Sequence, residues 1–139
     1  MQTCALLHVE DEDSSACPFR AALDHAGIAA SVYRVSDGEQ ALAFLNRSGI
    51  YKVARRPELI VLDLNMPRVD GWTVLSNLQA SNDLQTIPVI VLSTSRQPED
   101  QVRALLLGAS RYIIKPHDFD SLVEVATFIC AEFLPQPVT

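Results

Sequence analysis

Leu59-Ile60-Val61-Leu62-Asp63-Leu64-Asn65-Met66-Pro67 is an apolar run that delivers a carboxylate at the point where the run stops. A strand covered on both faces loses the apolar/polar alternation of a half-buried one. Leu59 to Leu62 therefore read as a buried strand of a parallel sheet, closed by the turn signal that follows. Asp63 then stands at that strand's C-terminal end. In open parallel α/β sheets this is the edge where ligands bind, because loops there carry chemistry on a rigid frame.

Upstream, Cys4 to Val9 is another short apolar strand, and it runs straight into Glu10-Asp11-Glu12-Asp13. Four adjacent carboxylates repel one another. A helix capped by Asp13 or Ser14 accounts for the later part of the run, since a helix N-terminus favours negative charge. Glu10 and Asp11 lie at the strand end, before any helix begins, and need a different reason. Ala16, Phe19, Ala22, Leu23 and Ala26 have helical spacing, stopped by Gly27. Ala30 to Val35 read as a second strand, and Ser36 with Glu39 have the reciprocal spacing of a capping box. The helix it opens has Ala41, Leu42, Phe44 and Leu45 on its apolar face. It frays at Ser48-Gly49 into a loop bearing Lys52, Arg55 and Arg56 ahead of Pro57, which reads as a solvated face without a role.

Downstream, Asp70-Gly71 closes a loop, and a helix runs through Trp72, Val74, Leu75 and Leu78 to Ser81. Val89 to Leu92 form another buried strand, ending in Ser93-Thr94-Ser95, with Ser95 the better helix cap. Pro98, Val102, Leu105 and Leu106 mark a fourth helix, stopped by Gly108. Arg111 to Ile114 are a fifth strand, ended by Lys115-Pro116. The last helix carries Phe119, Leu122, Val123, Ala126, Ile129 and Phe133 as one stripe. Five β-α units make the expected fold class α/β: a doubly wound parallel sheet with right-handed crossovers and helices on both faces. The expected organisation is one domain over residues 1–139, its last unit ending near 134, with a tail over 135–139 and no output domain.

The chain has 139 residues, 48% hydrophobic and 20% charged, which are globular values. Eleven basic against seventeen acidic residues give a net charge of −6, the wrong sign for a partner with a phosphate backbone, so no direct nucleic-acid contact is expected. No apolar run reaches the roughly 18 residues of a membrane span, and no basic segment precedes the first apolar run. The expectation is a cytoplasmic protein without membrane contact. Cys4, Cys17 and Cys130 are odd in number and lack Cys-x-x-Cys spacing, so they read as buried or half-buried free thiols. His8, His25 and His117 are scattered and receive no role.

Separate strand ends thus deliver Glu10 and Asp11, then Asp63, then Ser93, then Lys115, the parts of a phosphoryl-accepting site. Packed carboxylates raise one another's pKa unless a cation lies among them. A hard divalent ion with oxygen ligands, Mg²⁺ above all, meets that need and keeps positions open for phosphate oxygens. Lys115 adds a point charge able to pair with Asp63 or a phosphoryl oxygen. Asp63 is then the nucleophile that forms an acyl phosphate, a reaction carried by positioning and charge neutralisation.

Val9-Glu10-Asp11, Leu62-Asp63-Leu64-Asn65-Met66-Pro67 with Asp70-Gly71, Ser93, and Tyr112 before Lys115-Pro116 together resemble the response regulator receiver domain of two-component signalling, over essentially the whole chain. The resemblance implies a flavodoxin-like sheet of order 2-1-3-4-5 and phosphorylation of Asp63 by a histidine kinase or phosphotransfer protein. It implies Mg²⁺ held by Asp11, Asp63 and the Asn65 backbone carbonyl, with Glu10 acting through water. It also implies a hydroxyl switch at Ser93, an aromatic switch at Tyr112 and a cis Lys115–Pro116 bond. The wording around Asp63 is similar to the small receivers that partner bacterial phytochromes. Glu10 replaces the commoner aspartate, and Thr94 is bulkier than the residue usual there, which bears on water access and phosphoryl lifetime.

On the last helix Phe128 falls nearly opposite the core stripe, flanked by Val125, and an exposed aromatic asks for a partner. The expected surface is a docking or homodimer face built from the fourth helix, fifth strand and fifth helix. Two alternatives remain. A pseudo-receiver would keep the fold as a binding module without phosphorylation, and the intact Asp11, Asp63 and Lys115 set disfavours it. A haloacid-dehalogenase-like phosphatase also uses a strand-end aspartate, but it requires a second Asp where Asn65 stands.

Overall fold

The computed structural model describes residues 4–64 and 70–134. Strand β1 (Cys4–Val9) leads to helix α1 (Asp13–His25), then β2 (Ala30–Val35) and α2 (Gly38–Leu45). A 3₁₀ turn at Gly49–Tyr51 precedes β3 (Leu59–Leu62), α3 (Gly71–Ala80) and β4 (Val89–Ser93). Helix α4 (Pro98–Leu106), β5 (Arg111–Ile114) and α5 (Phe119–Phe133) complete the order. All strands are parallel, in the order β2-β1-β3-β4-β5, which agrees with the expected α/β class and strand order.

The central strands are buried throughout, as the missing alternation at Leu59–Leu62 required. Their side chains still divide between two layers because successive residues point to opposite faces. Leu7, Val9, Ile60 and Leu62 face α2 and α3, where Phe44, Leu75 and Leu78 complete one core. Leu6, Leu59, Val61 and Ile90 face α1 and α5, packing with Phe19, Leu23, Ala126 and Ile129. With β1 beside β3 and Val9 opposite Leu62, the residues just past both strands emerge together on one edge.

Several local expectations shift. The second helix is capped one residue later than Ser36: the Asp37 carboxylate accepts the Gln40 N–H at 2.8 Å, and the Gln40 side chain accepts the Ser36 N–H at 2.9 Å. An aspartate is as good a cap as a serine, so the box slides to the frame in which a glutamine reaches back. Helix α1 starts at Asp13 with Glu12 at the N-cap position and no side-chain cap bond. Helix α4 starts after Gln97. Ser95 accepts the Gln97 N–H at 3.3 Å and donates to Asp100 at 2.5 Å instead of capping.

Helix α4 also turns its apolar spacing outward. Only Ala104 is buried, while Val102, Leu105 and Leu106 are exposed. Phe119, expected on the core stripe of α5, is exposed at the helix start. Among the described residues every peptide bond is trans, Lys115–Pro116 included, contrary to the expected cis bond.

Candidate functional site

Asp63 continues the parallel pairing past the end of β3, its N–H donating to the Val9 carbonyl at 3.0 Å. Glu10, the next residue on β1, donates its own N–H to the Val35 carbonyl of β2 at 3.0 Å. Both acids are thus fixed by backbone bonds to neighbouring strands before any side chain is considered. Glu10 and Asp63 are buried and Asp11 half-buried, and one carboxylate oxygen from each lies within 4.8 Å of the others.

Gly71 makes this packing possible. A Cβ there would sit 2.3 Å from the Asp63 carbonyl oxygen and 2.5 Å from the Leu64 Cα, closer than any side chain tolerates. The Gly71 N–H donates to the Leu64 carbonyl at 3.0 Å, tying the start of α3 against the end of β3. Asp70 caps that helix by accepting the Thr73 N–H at 3.0 Å.

Lys115 reaches the cluster from β5, but its closer partner differs from the expected one. Its Nζ donates to Glu10 Oε1 at 2.5 Å and stands 3.8 Å from Asp63 Oδ2. The ammonium goes to the carboxylate that has lost the most water, since Glu10 is only 1% exposed. Burial nevertheless pushes the Glu10 pKa up from 4.5 to about 7, with Asp63 adding repulsion, and the Lys115 contact only partly offsets it. Three acids against one lysine leave uncompensated negative charge on hard oxygen donors, which suits a divalent cation such as Mg²⁺.

Ser93 is fully buried at the end of β4. Its hydroxyl accepts the Ser95 N–H at 3.2 Å, and its carbonyl accepts the Lys115 N–H at 2.8 Å. Tyr112, half-buried on β5, donates its hydroxyl to the Ser95 carbonyl at 2.8 Å. Strand ends β1, β3, β4 and β5 therefore bring Glu10, Asp11, Asp63, Ser93 and Lys115 to one edge, with Tyr112 beside it. Asn65, expected to offer its carbonyl, lies outside the described residues.

On α5, Phe128 is 47% exposed, with the Arg111 guanidinium 5.8 Å from its ring centroid. Arg111 also donates to Glu132 at 2.8 Å. Val125 is half-buried and packs against the core shared with α1, so it contributes less to this face than its sequence position implied.

Two residues near the site had no signal in the sequence. His8, on β1, is 3% exposed and packs on Phe19 at 4.6 Å between ring centroids. Burial and the nearby cations Lys115 and Arg34 push its pKa down to about 3, so it is neutral at ordinary pH. Arg34, on β2, reaches the acidic loop: its Nε donates to the Glu10 carbonyl at 3.0 Å and its Nη1 to the Asp13 carboxylate. Arg34 is spatially rather than sequentially close to the acids, and only knowledge that β2 pairs with β1 would have found it. His8, on β1, is two residues from Glu10, but its role shows only once Phe19 packs on it. A cavity of about 360 Å³ opens beside the cluster, between α1 and the segment after β5, and His8, Glu10 and Lys115 line it.

The model of the family described as the response regulator receiver domain matches residues 6–127. Response regulator Rcp1 of Synechocystis is 34% identical over 120 residues, which are 86% of this chain and 82% of that protein. The phosphorylated cyanobacterial phytochrome response regulator RcpA superposes with a TM-score of 0.90 at 33% identity, covering 99% of this chain and 98% of RcpA. Response regulator RPA3017, from red light signaling of R. palustris, gives 0.86 at 30% identity, covering 98% and 99% of the two chains.

Proposed function

Since the chain belongs to the response regulator receiver domain family, we propose that it is a phosphoacceptor in which Asp63 takes the phosphoryl group. The observation that carries this reading is the convergence of Glu10, Asp11 and Asp63 within 4.8 Å, with Lys115 against them. An Asp63 oxygen attacks phosphorus; the bond from phosphorus to the donor's leaving group breaks, and that group departs with the electron pair and takes up a proton. Asp11 and Asp63, with the Asn65 carbonyl, are the proposed direct holders of Mg²⁺, and Glu10 its holder through water. The ion, when bound, neutralises charge on the phosphoryl oxygens.

Lys115 adds a second positive charge that is free to shift between Glu10, Asp63 and a phosphoryl oxygen, being 3.8 Å from Asp63 already. Ser93 supplies a hydroxyl for another oxygen, and Tyr112 follows it as the aromatic switch. The output is a changed protein-interaction face across α4, β5 and α5, where Phe128, Val102, Leu105 and Leu106 are exposed, and homodimerisation there is one use of it. This is a population shift, limited by how much better the active state holds the phosphoryl group. In this reading the domain signals by protein contact and is itself no enzyme beyond its own phosphotransfer and dephosphorylation. The donor is a histidine kinase or phosphotransfer protein, and the names of RcpA and RPA3017 favour a phytochrome-type partner.

Intact mass spectrometry after incubation with Mg²⁺ and acetyl phosphate tests the reading. One added phosphoryl group is expected, absent in Asp63→Asn and absent with a chelator. No adduct on the parent chain would leave the pseudo-receiver reading in its place.

A further inference from the structure

Arg34 lies opposite His8 in the β1–β2 register, with Val35 opposite Val9, so β2 ends alongside the loop that carries Asp11. Its guanidinium makes two bonds to that loop, one to the backbone carbonyl of Glu10 at 3.0 Å and one to the carboxylate of Asp13, the first residue of α1. The two anchor points bracket Asp11 and Glu12. We infer that Arg34 is a positioning residue for the cation site: it fixes both ends of the acidic loop, so that the Asp11 carboxylate is already turned toward Asp63 and Glu10 before the ion arrives. The inference rests on the reading that this acidic cluster binds Mg²⁺.

The physical case is one of opposed forces. Glu10, Asp11, Glu12 and Asp13 are consecutive acids that would splay apart if the backbone were free, and α1 begins without a side-chain cap to hold its first turn. The backbone bond from Glu10 to Val35 fixes only the near end of the loop. At the far end the first backbone bonds of α1 hold the Glu12 carbonyl, and Arg34 adds a side-chain tie from there back to the Glu10 carbonyl. Its fork permits this, since Nε and Nη1 address two acceptors at once while a lysine ammonium presents a single point charge. Groups that hold ligands in place, without touching the ion, are typically worth 10–100-fold in metal affinity.

Charge and positioning predict different results, which makes the inference testable. A cation near a cation site repels the ion, so on charge alone Arg34→Gln tightens metal binding, and Arg34→Lys leaves it unchanged. Positioning predicts weaker binding in both. Mn²⁺ binding to the full chain would be followed by electron paramagnetic resonance, with Mg²⁺ measured by competition and urea denaturation recorded alongside. The expected result is about tenfold weaker Mn²⁺ binding in Arg34→Lys and Arg34→Gln, while acetyl phosphate labelling of Arg34→Lys returns toward the parent level at saturating Mg²⁺. Affinity in Arg34→Lys equal to or tighter than the parent's, in protein that unfolds cooperatively, overturns the inference. Failure of the parent chain to bind Mn²⁺ is a separate result, which overturns the metal-site reading itself.

Discussion

Glu10 and His8 lie two residues apart on the same buried strand, and their titrations oppose each other in the metal-free protein. The Glu10 pKa rises on folding from 4.5 to about 7. Its favourable contribution is therefore complete below about 4.5 and is lost as pH rises through 7. The His8 pKa falls on folding from 6.5 to about 3, so its contribution is complete above 6.5 and is lost as pH falls toward 3. Between these limits the folded protein keeps a proton on Glu10 that the unfolded chain has released, while the unfolded chain holds one on His8 that the folded protein lacks. The proton counts cancel, and the pair adds almost no slope between pH 4.5 and 6.5.

Glu10→Gln removes one side of that balance. Relative to the parent, stability of the variant should rise with pH across the window, by roughly 3 kcal/mol in all. For a chain of this length that is a relative shift of about 10 °C in the thermal midpoint. Urea denaturation in chelator at the two ends and the middle of the window, followed by fluorescence of the single tryptophan, Trp72, measures it. His8→Leu should show the mirror image, a relative decline with rising pH. A Glu10→Gln profile parallel to the parent's would refute the reasoning, since it would mean that one of these two buried groups does not titrate as its surroundings dictate.

Lys115→Met leaves Glu10 and Asp63 buried without their ammonium and should cost about 3 kcal/mol of metal-free stability near neutral pH, much of it regained on adding Mg²⁺, by urea denaturation with and without the ion. Gly71→Ala drives a methyl group into the Asp63 carbonyl. It should lower stability by about 1–3 kcal/mol and slow acetyl phosphate labelling, and unchanged labelling would show that the Asp63 backbone yields freely. Tyr112→Phe removes the bond to the Ser95 carbonyl and should cost about 1 kcal/mol by the same denaturation assay, with labelling of Asp63 retained.

The β-α alternation was legible because buried strands and amphipathic helices each write a periodic pattern into neighbouring residues. The acids and Lys115 were legible for a related reason: strand ends announce themselves, and chemistry in a parallel sheet gathers at one edge. What the pattern does not encode is lateral pairing. Arg34 serves the loop after β1 only because β2 is its neighbour, and His8 reads as an oddity within an apolar run until Phe19 and the cluster surround it. Lys115 was correctly drawn to the acids, but its choice of Glu10 over Asp63 depends on relative burial. The frame of the α2 cap turned on Gln40 reaching back past Asp37, a matter of side-chain length. The outward face of α4 follows from where the helix sits beside the sheet, and its spacing looks the same whichever way it faces.

Ser95 is a junction with two claims on one residue: its N–H is held by the Ser93 hydroxyl and its carbonyl by the Tyr112 hydroxyl. Its own hydroxyl is tied forward to Asp100 in the first turn of α4. Ser93 and Tyr112 need not touch to be linked, because both bond to the same short segment. If the Ser93 hydroxyl is drawn away to another oxygen, the Ser95 N–H loses its acceptor, and the segment relaxes toward whatever the Tyr112 and Asp100 bonds still permit. The route from the buried strand ends to the surface of α4 thus runs through the hydrogen bonds of one small polar residue, and its length is set by the loop between β4 and α4.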